Sequence, residues 1–276
     1  GREVLLETPI LLPPLAEQQR IVVKVEELLA RVSAARARLA RMPVLLKRFR
    51  QTVLASACSG RLTAGWREKQ ASLETASQLI AKICKDYKAR WCEQHPGKKY
   101  REPATPDPSD LPELPPEWCW VTFDQCAEDI TVGHVGPMKD RYVDTGIPFL
   151  RSQNVRPLRY DPKGIMYMPE DFHQTLKKSK LRGGEILVVR SGANTGDCCV
   201  YPDGLAEANC ADLVVTRPLP GLDARYGAIF VTSPTGRGTL NLGQTGIAQP
   251  HFNIGAMRGK PLPLPPLAEQ QEIVRR

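Results

Sequence analysis

The chain has 276 residues and is 42% hydrophobic, enough for one or two domains with a packed core, so disorder throughout is excluded. It has no apolar run of about 18 residues and no basic-then-apolar leader pattern, which predicts a cytoplasmic protein with no membrane partner. Residues 17–102 hold 19 Lys and Arg against 8 Asp and Glu, whereas residues 103–129 hold 7 acids and no base. This distribution and the net charge of +8 favour a polyanionic partner, nucleic acid before membrane.

The first predicted element is a long helix that begins after Pro13-Pro14 and ends near Gly60. Apolar residues recur in it at the two seam positions of a coiled coil for about five heptads. Pro43 lies inside the pattern and predicts either one kinked helix or two nearly collinear helices. An ordinary amphipathic helix packed against a neighbour is the alternative. The predicted seam consists of Ile21, Val25, Leu28, Val32, Leu39, Met42, Leu46, Phe49 and Val53.

A second helix is predicted over residues 72–92, and residues 102–117 form a proline-rich, extended connector. From Trp118 onward, short apolar runs alternate with glycine, which is typical of strands. Strands are predicted at 118–123, 147–150, 185–190, 198–201 and 212–216, and helices at 169–180 and 223–233. The predicted fold class is therefore a mixed α/β (α+β) globular domain joined to long coiled-coil-type helices.

The eight cysteines include no C-x-x-C pair and are expected to be reduced and mostly buried. A zinc site from Cys84, Cys92 and His95 is the alternative, but its spacing fits no standard finger and lacks a fourth ligand. No metal and no cofactor is predicted. The chain also lacks a methyltransferase N-P-P-Y type loop, a P-loop and a nuclease pattern of paired carboxylates with lysine, so no catalytic residue is predicted.

Sequence-specific DNA binding requires cations for phosphates and forked or amide side chains for base edges. Polar residues of these types follow two predicted strands and fill a glycine-rich loop near residue 249, and a lysine cluster precedes another strand. Amides at strand ends also stabilise turns, and a lysine run can be a solvated surface, so a structural role is the alternative for each residue. The candidate DNA-binding residues are Arg151, Ser152, Gln153, Asn154, Lys177, Lys178, Lys180, Arg190, Ser191, Asn194, Thr195, Gln244, Gln249, His251 and Asn253.

The phrase LPPLAEQQ occurs twice, at residues 12–19 and 264–271. Together with LLKRFRQTVLASACSGRLTAGWRE, LPELPPEWCWVTF, GIPFLRSQNV, LRGGEILVVRSGANTG and AEANCADLVVTRP, it resembles the specificity subunit of type I restriction-modification systems. Such subunits alternate two target recognition domains with two helical conserved regions. The resemblance implies that each LPPLAEQQ leads from a recognition domain into a helix.

The resemblance also implies a domain scheme and a set of partners. Residues 1–11 would be the tail of a preceding recognition domain, 12–101 a helical spacer, 102–117 the connector, 118–262 a recognition domain and 263–276 the start of a distal helix. We expect a fragment of a longer subunit, and a half-subunit that pairs with a second copy is the alternative. The implied partners are double-stranded DNA, modification (methyltransferase) subunits and, through them, restriction subunits. A coiled-coil adapter whose globular domain binds protein is the competing function.

Overall fold

The protein is described by a computed structural model that covers residues 9, 11–70, 74–107, 109–241 and 252–276. The chain divides into two compact units, Gly1–Arg50 and Gln51–Arg276. Among the helices within the covered residues, none combines the length and the apolar character that a bilayer crossing needs.

Helix α1, Leu15–Cys58, is the main described element of the first unit. Its first turn follows Pro13-Pro14, and the Pro14 carbonyl accepts hydrogen bonds from the Glu17 and Gln18 N–H groups at 2.8 and 3.0 Å. Pro43 lies inside a single helix, so of the two predicted alternatives the structure has one helix rather than two. The predicted seam side chains from Ile21 to Phe49 are 45–68% exposed. The helix therefore carries an apolar stripe that nothing in the described chain covers.

Helix α1 ends at Cys58, which confirms the predicted stop, and Gly60 follows with φ 75°. Helix α2 is Ala64–Arg67 and helix α3 is Ala76–Gln94. The predicted start of α3 at residue 72 is wrong because Thr75 caps the helix. Its hydroxyl accepts the Gln78 N–H at 3.3 Å, and the Gln78 side-chain oxygen accepts the Thr75 N–H at 3.1 Å. This capping box fixes the first helical residue at Ala76.

The predicted strands all occur, with small changes at their ends, and several shorter ones accompany them. A central antiparallel sheet has the order β2-β10-β7-β8, a second sheet the order β6-β3-β9, and the pairs β1-β11 and β4-β5 complete the described strands. Their bounds are β1 Cys119–Thr122, β2 Ala127–Val132, β3 Ile147–Leu150, β4 Val155–Arg156, β5 Arg159–Tyr160, β6 Met166–Met168, β7 Ile186–Val189, β8 Cys198–Val200, β9 Asn209–Cys210, β10 Leu213–Pro218 and β11 Pro261–Leu264.

The central sheet is covered on both faces. Ile186 and Val188 of β7 enter one core, with Phe230, whereas Leu187 and Val189 enter a second core. Because successive side chains of a strand point to opposite faces, a strand between two cores must be apolar at every position. This explains the uninterrupted run ILVV, whose four residues are all buried.

The remaining helices are short. They are α4 Glu170–Thr175, α5 Ala224–Thr232, α6 Pro234–Asn241, α7 Ile254–Arg258 and α8 Leu267–Arg275. The helix predicted over 169–180 is wrong beyond Thr175, because Leu176 leaves the helical region at φ −94° and ψ 55°, and the 3₁₀ turn Lys177–Ser179 follows. The fold class, a mixed α/β fold with a long helix, is confirmed.

The second copy of LPPLAEQQ is mostly buried in the Gln51–Arg276 unit. Glu269 accepts hydrogen bonds from Thr63 Oγ1 at 2.6 Å and Trp118 Nε1 at 2.9 Å, and it forms an ion pair with Arg67. Gln270 donates to the carbonyls of Gly221 and Pro265, both at 2.9 Å. These bonds tie α8 to three separate parts of the chain, and both side chains are fully buried.

Candidate nucleic-acid interface

The ends of β2 and β7 and the start of β10 meet at one end of the central sheet. The registers pair the first residues of β10 with the last residues of its two antiparallel neighbours. The chain segments beyond these strands are also joined. Gly133 N–H donates to the Leu213 carbonyl at 2.8 Å, and Arg190 N–H donates to the Asp212 carbonyl at 3.3 Å. The polar segment after β7 is therefore fixed beside the residues that precede β10.

Two further segments reach the same place. Strand β3 runs parallel to β9, and the Ala211 N–H donates to the Leu150 carbonyl at 3.0 Å, which brings the segment after β3 alongside. Phe252 N–H donates to the Arg190 carbonyl at 3.0 Å. The structure thus brings together parts of all three predicted polar loops. We call this surface the polar edge and define it as residues 133–134, 151, 190–191, 211–212 and 252–253.

Arg190 lies at the centre of the polar edge. Its side chain is 29% exposed, and its Nη1 lies 4.0 Å from Asp212 Oδ1. Its buried Nε has no hydrogen-bond partner among the described residues. A cavity of about 320 Å³ opens beside it and is lined by Val132, Arg190, Val214, Asn253, Ile254 and Gly255. Arg190 therefore forms part of the wall of a cavity on the polar edge.

Asp212 adopts a backbone conformation that is rare for residues other than glycine. Its φ is 57°, in the left-handed region that Asp and Asn tolerate better than other side chains do. The Ser191 hydroxyl donates to Asp212 Oδ2 at 2.5 Å, and the Asp212 side chain is 53% exposed. One carboxylate oxygen is thus held by the protein while the group remains open to solvent.

The residues after β3 mostly stabilise their own loop. Arg151 and Gln153 donate to the Gly164 carbonyl at 3.1 and 2.8 Å. Asn154 is fully buried, accepts the Arg151 N–H at 3.0 Å and donates to the Asp161 carbonyl at 2.9 Å. We therefore leave Asn154 out of the proposed DNA contacts, because a buried amide bonded on both sides cannot reach a base. Ser152 is half-buried in the same 3₁₀ turn.

The other loop residues have mixed roles. Asn194 is exposed, and the Thr195 hydroxyl donates to the Gly192 carbonyl at 2.6 Å, which closes a turn. Asn253 caps α7 by accepting the Ala256 N–H at 2.9 Å. Gln244, Gln249 and His251 lie outside the described residues.

The predicted lysine cluster lies elsewhere. Arg217, near the last residue of β10, donates to the carbonyls of Lys178 and Lys180 at 3.1 and 2.8 Å, so this segment lies toward the opposite end of β10 from Asp212. Lys177 and Lys178 are exposed. Lys180 instead binds Glu207 at 3.0 Å. Hydrogen bonds from His173 and then Lys180 lower the pKa of Glu207 to about 2.

The cysteines are free thiols, and burial raises the pKa of Cys58, Cys199 and Cys210 to about 12. Such thiols are poor nucleophiles. In the described ranges, no three His, Cys, Asp or Glu side chains converge as a metal would require. His95 instead stacks on Trp91, with ring centroids 4.5 Å apart.

Sequence reasoning missed Asp212, His134 and Phe252. The His134 N–H donates to the Cys210 carbonyl at 2.7 Å, and its ring packs edge-on against Phe172 at 5.8 Å. In the sequence, Asp212 is the first residue of a predicted strand and a carboxylate without the lysine that a nuclease pattern needs. The NCAD and GHVG contexts of Asp212 and His134 carry no periodic pattern, so only the paired strands reveal that they lie together.

No family model matches the chain. It is similar to the Type I restriction enzyme EcoKI specificity subunit of Escherichia coli (strain K12), with 29% identity over 99% of this chain and 50% of the relative. It is also similar to the EcoBI specificity subunit of Escherichia coli, with 28% identity over 99% of this chain and 51% of the relative. The predicted resemblance to type I specificity subunits is confirmed, and the chain spans about half the length of these curated relatives.

The fold has a counterpart among solved structures. A chain from a study of complex assembly and conformational transition of the type I R-M system matches with a TM-score of 0.53 and 21% identity, over 96% of this chain and 51% of that chain. At this identity the match supports the fold.

Proposed function

We propose that this chain is a DNA sequence-specificity element of a type I restriction-modification assembly and that its globular domain binds one half of a bipartite double-stranded target. The observation that carries the proposal is the polar edge, where the predicted loops converge around Arg190. Forked guanidinium donors are the commonest readers of base edges in the major groove. The similarity to half of several specificity subunits supports the same role.

The domain scheme follows from this proposal. Residues 118–262 would form the recognition domain, with residues 12–101 and 263–276 as helical regions, 102–117 as the connector, and 1–11 as the tail of a preceding domain. Lys177 and Lys178 would contact phosphates, because exposed lysines without base-specific geometry supply sequence-independent affinity. The assembly would act on DNA in the cytoplasm.

The proposed role of helix α1 is to dock modification (methyltransferase) subunits and, through them, restriction subunits. Its apolar seam, 45–68% exposed from Ile21 to Phe49, supports an interface with another helix or subunit. The proposal assigns methyl transfer and DNA cleavage to those partners and no catalytic step or cofactor to this chain. A second copy of the chain is another partner that such a seam could accept.

The test is selection from randomised duplex DNA by the chain co-assembled with modification subunits, followed by sequencing at moderate salt. Enrichment of a motif of about three to five base pairs supports the proposal, and a palindromic pair at fixed spacing would show two copies acting together. Formation of the complex without enrichment would favour the protein-binding adapter.

A matched pair of variants links the selection to the polar edge. Arg190→Gln should weaken the enriched motif, whereas Arg159→Gln, on the β4–β5 hairpin, should leave it unchanged. The Arg159 side chain is 68% exposed, so its replacement leaves the core intact. Equal enrichment by both variants would remove Arg190 from the contact surface.

A further inference from the structure

On the polar edge, the guanidinium donors of Arg190 lie beside the carboxylate acceptor of Asp212. This order of donors and acceptor matches the hydrogen-bonding groups of one kind of base pair. Resting on the proposed function, we propose that Arg190 and Asp212 together read a G·C pair, with Arg190 on the guanine and Asp212 on the paired cytosine. Asp212 is then a specificity-determining residue as well as a structural one.

The first support is the separation of the two groups. Arg190 Nη1 and Asp212 Oδ1 lie 4.0 Å apart, beyond hydrogen-bonding distance, and both side chains are partly open to solvent. Neither side chain therefore forms a hydrogen bond to the other. They can therefore contact neighbouring atoms on one ligand edge, with the donors and the acceptor side by side.

The second support is rigidity. The Asp212 carbonyl accepts the Arg190 N–H at 3.3 Å, and the Ser191 hydroxyl holds Asp212 Oδ2 at 2.5 Å. Asp212, with its left-handed φ of 57°, lies between β9 and β10, which belong to two different sheets, and its N–H donates to the His134 carbonyl at 3.4 Å. A base-contacting side chain on a rigid backbone loses less conformational entropy when it binds DNA than one on a flexible loop does.

The third support is the hydrogen-bond pattern of the base pairs. Across the major groove, G·C presents acceptor, acceptor and donor in sequence, from guanine N7 and O6 to cytosine N4. A·T presents acceptor, donor and acceptor. An arginine fork covers two adjacent acceptors, and a carboxylate beside it accepts from the next donor, so this arrangement fits G·C and opposes A·T.

The Arg190 Nε is not the atom that would contact a base, because it is buried. Within the part of the chain that the structure describes, this buried donor has no acceptor. A base edge would accept from the Nη atoms of the guanidinium instead, on a side chain that is 29% exposed. Arg151 Nε is also unpartnered among the described residues, but its Nη2 is already bound to the Gly164 carbonyl.

The experiment is the randomised-duplex selection described above, repeated with Asp212→Asn and Arg190→Gln. Asn tolerates a left-handed φ, so the first variant keeps the backbone while it adds donor atoms that oppose cytosine N4. We expect a G·C position in the wild-type motif whose preference falls about tenfold or more in both variants. Arg190→Gln should also raise adenine at that position, since glutamine pairs with adenine.

The control is Asp203→Asn, which also replaces an aspartate by asparagine. Asp203 follows β8, at the opposite end of the central sheet from the polar edge. This variant should leave every position unchanged. If the wild-type chain enriches a motif and neither Asp212→Asn nor Arg190→Gln changes the preference at any one position, this inference is overturned. The proposed function is then unaffected. A wild-type chain that enriches no motif overturns the proposed function and this inference with it. Thermal unfolding of each variant confirms that the fold is retained.

Discussion

Glu269 accepts a hydrogen bond from Trp118 Nε1 at 2.9 Å, and the two residues are 151 positions apart in the chain. Both side chains are buried, and Arg67 supplies the compensating positive charge. The equivalent residue of the first LPPLAEQQ copy, Glu17, is exposed. The same sequence motif thus makes a buried network in one place and a solvated helix start in the other.

This difference predicts unequal effects of one substitution at the two copies. Glu269→Ala should lower the free energy of unfolding by about 3–5 kcal/mol, because it leaves the buried donors of Arg67, Thr63 and Trp118 without their acceptor. Glu17→Ala should change it by less than about 0.5 kcal/mol. Urea unfolding followed by tryptophan fluorescence measures both values. Equal effects would show that the Glu269 network contributes little.

The polar edge depends on a close backbone approach at Gly133. A Cβ at this position would lie 2.8 Å from the Cys210 carbonyl oxygen. Gly133→Ala should therefore destabilise the domain by about 1–3 kcal/mol and weaken DNA binding together. Gly238, where a Cβ meets nothing within 4 Å, is the matched control for Gly→Ala. Thermal unfolding and a duplex-binding titration would test this, and a fully stable Gly133→Ala variant would contradict it.

The exposed lysines predict a sequence-independent contribution to DNA binding. Replacing Lys177 and Lys178 with glutamine should weaken binding to all duplexes alike. It should also reduce the slope of log affinity against log salt by about 2. The control replaces the exposed pair Lys98 and Lys99, which follows helix α3. A changed base preference in the first variant would mean that these lysines read bases.

Glu207 predicts a contribution to stability that depends on pH. Its pKa is about 2 in the folded chain, through hydrogen bonds from His173 and Lys180, and about 4.3 in an unfolded one. Because the folded value is the lower one, the contribution is present above about pH 4.3 and is lost as the pH falls toward 2. Glu207→Gln should therefore flatten the stability profile in that window, as measured by urea midpoints. The same profile in Glu128→Gln, an exposed control, would show whether the effect is specific.

The seam of α1 predicts a defect in assembly with little effect on the globular domain. Leu28→Glu should reduce co-sedimentation with modification subunits several-fold, because a charge cannot be buried in an apolar interface without a partner. Ala37→Glu, outside the seam, is the control. Since Leu28 is 48% exposed, unfolding of the Gln51–Arg276 unit should not change. Unaltered co-sedimentation of Leu28→Glu would remove the seam from the docking surface.

Local patterns predicted the longer elements well. The run IPFL forms strand β3 at its predicted bounds. The run ILVV forms strand β7, whose alternate side chains enter two different cores. The two-residue strands β4, β5 and β9 have no period to detect, and sheet pairing makes them strands. Thr75 was a missed helix start, although its hydroxyl and Gln78 form a recognisable capping box.

The sequence predicted which residue types occur at the candidate site. It predicted less well which of those residues are open to a ligand and which only stabilise the fold. Arg190 follows a strong strand pattern, and its place on the polar edge follows from that. Asn154 has the same chemistry in the sequence, yet it is buried because its amide closes the loop after β3. Asp212 could not be found locally, since its left-handed conformation is imposed by three chain segments that meet only in the fold.

The antiparallel pairing of β1 with β11 puts Cys119 opposite Leu264 and Thr122 opposite Pro261. The region between them therefore enters and leaves through adjacent backbones, about 5 Å apart. Loops between residues 123 and 260 that do not contact β1, β11 or α8 can change in length or sequence without separating these two strands. A domain joined in this way can diverge in its loops, and so in the ligand it prefers, while its two ends stay side by side.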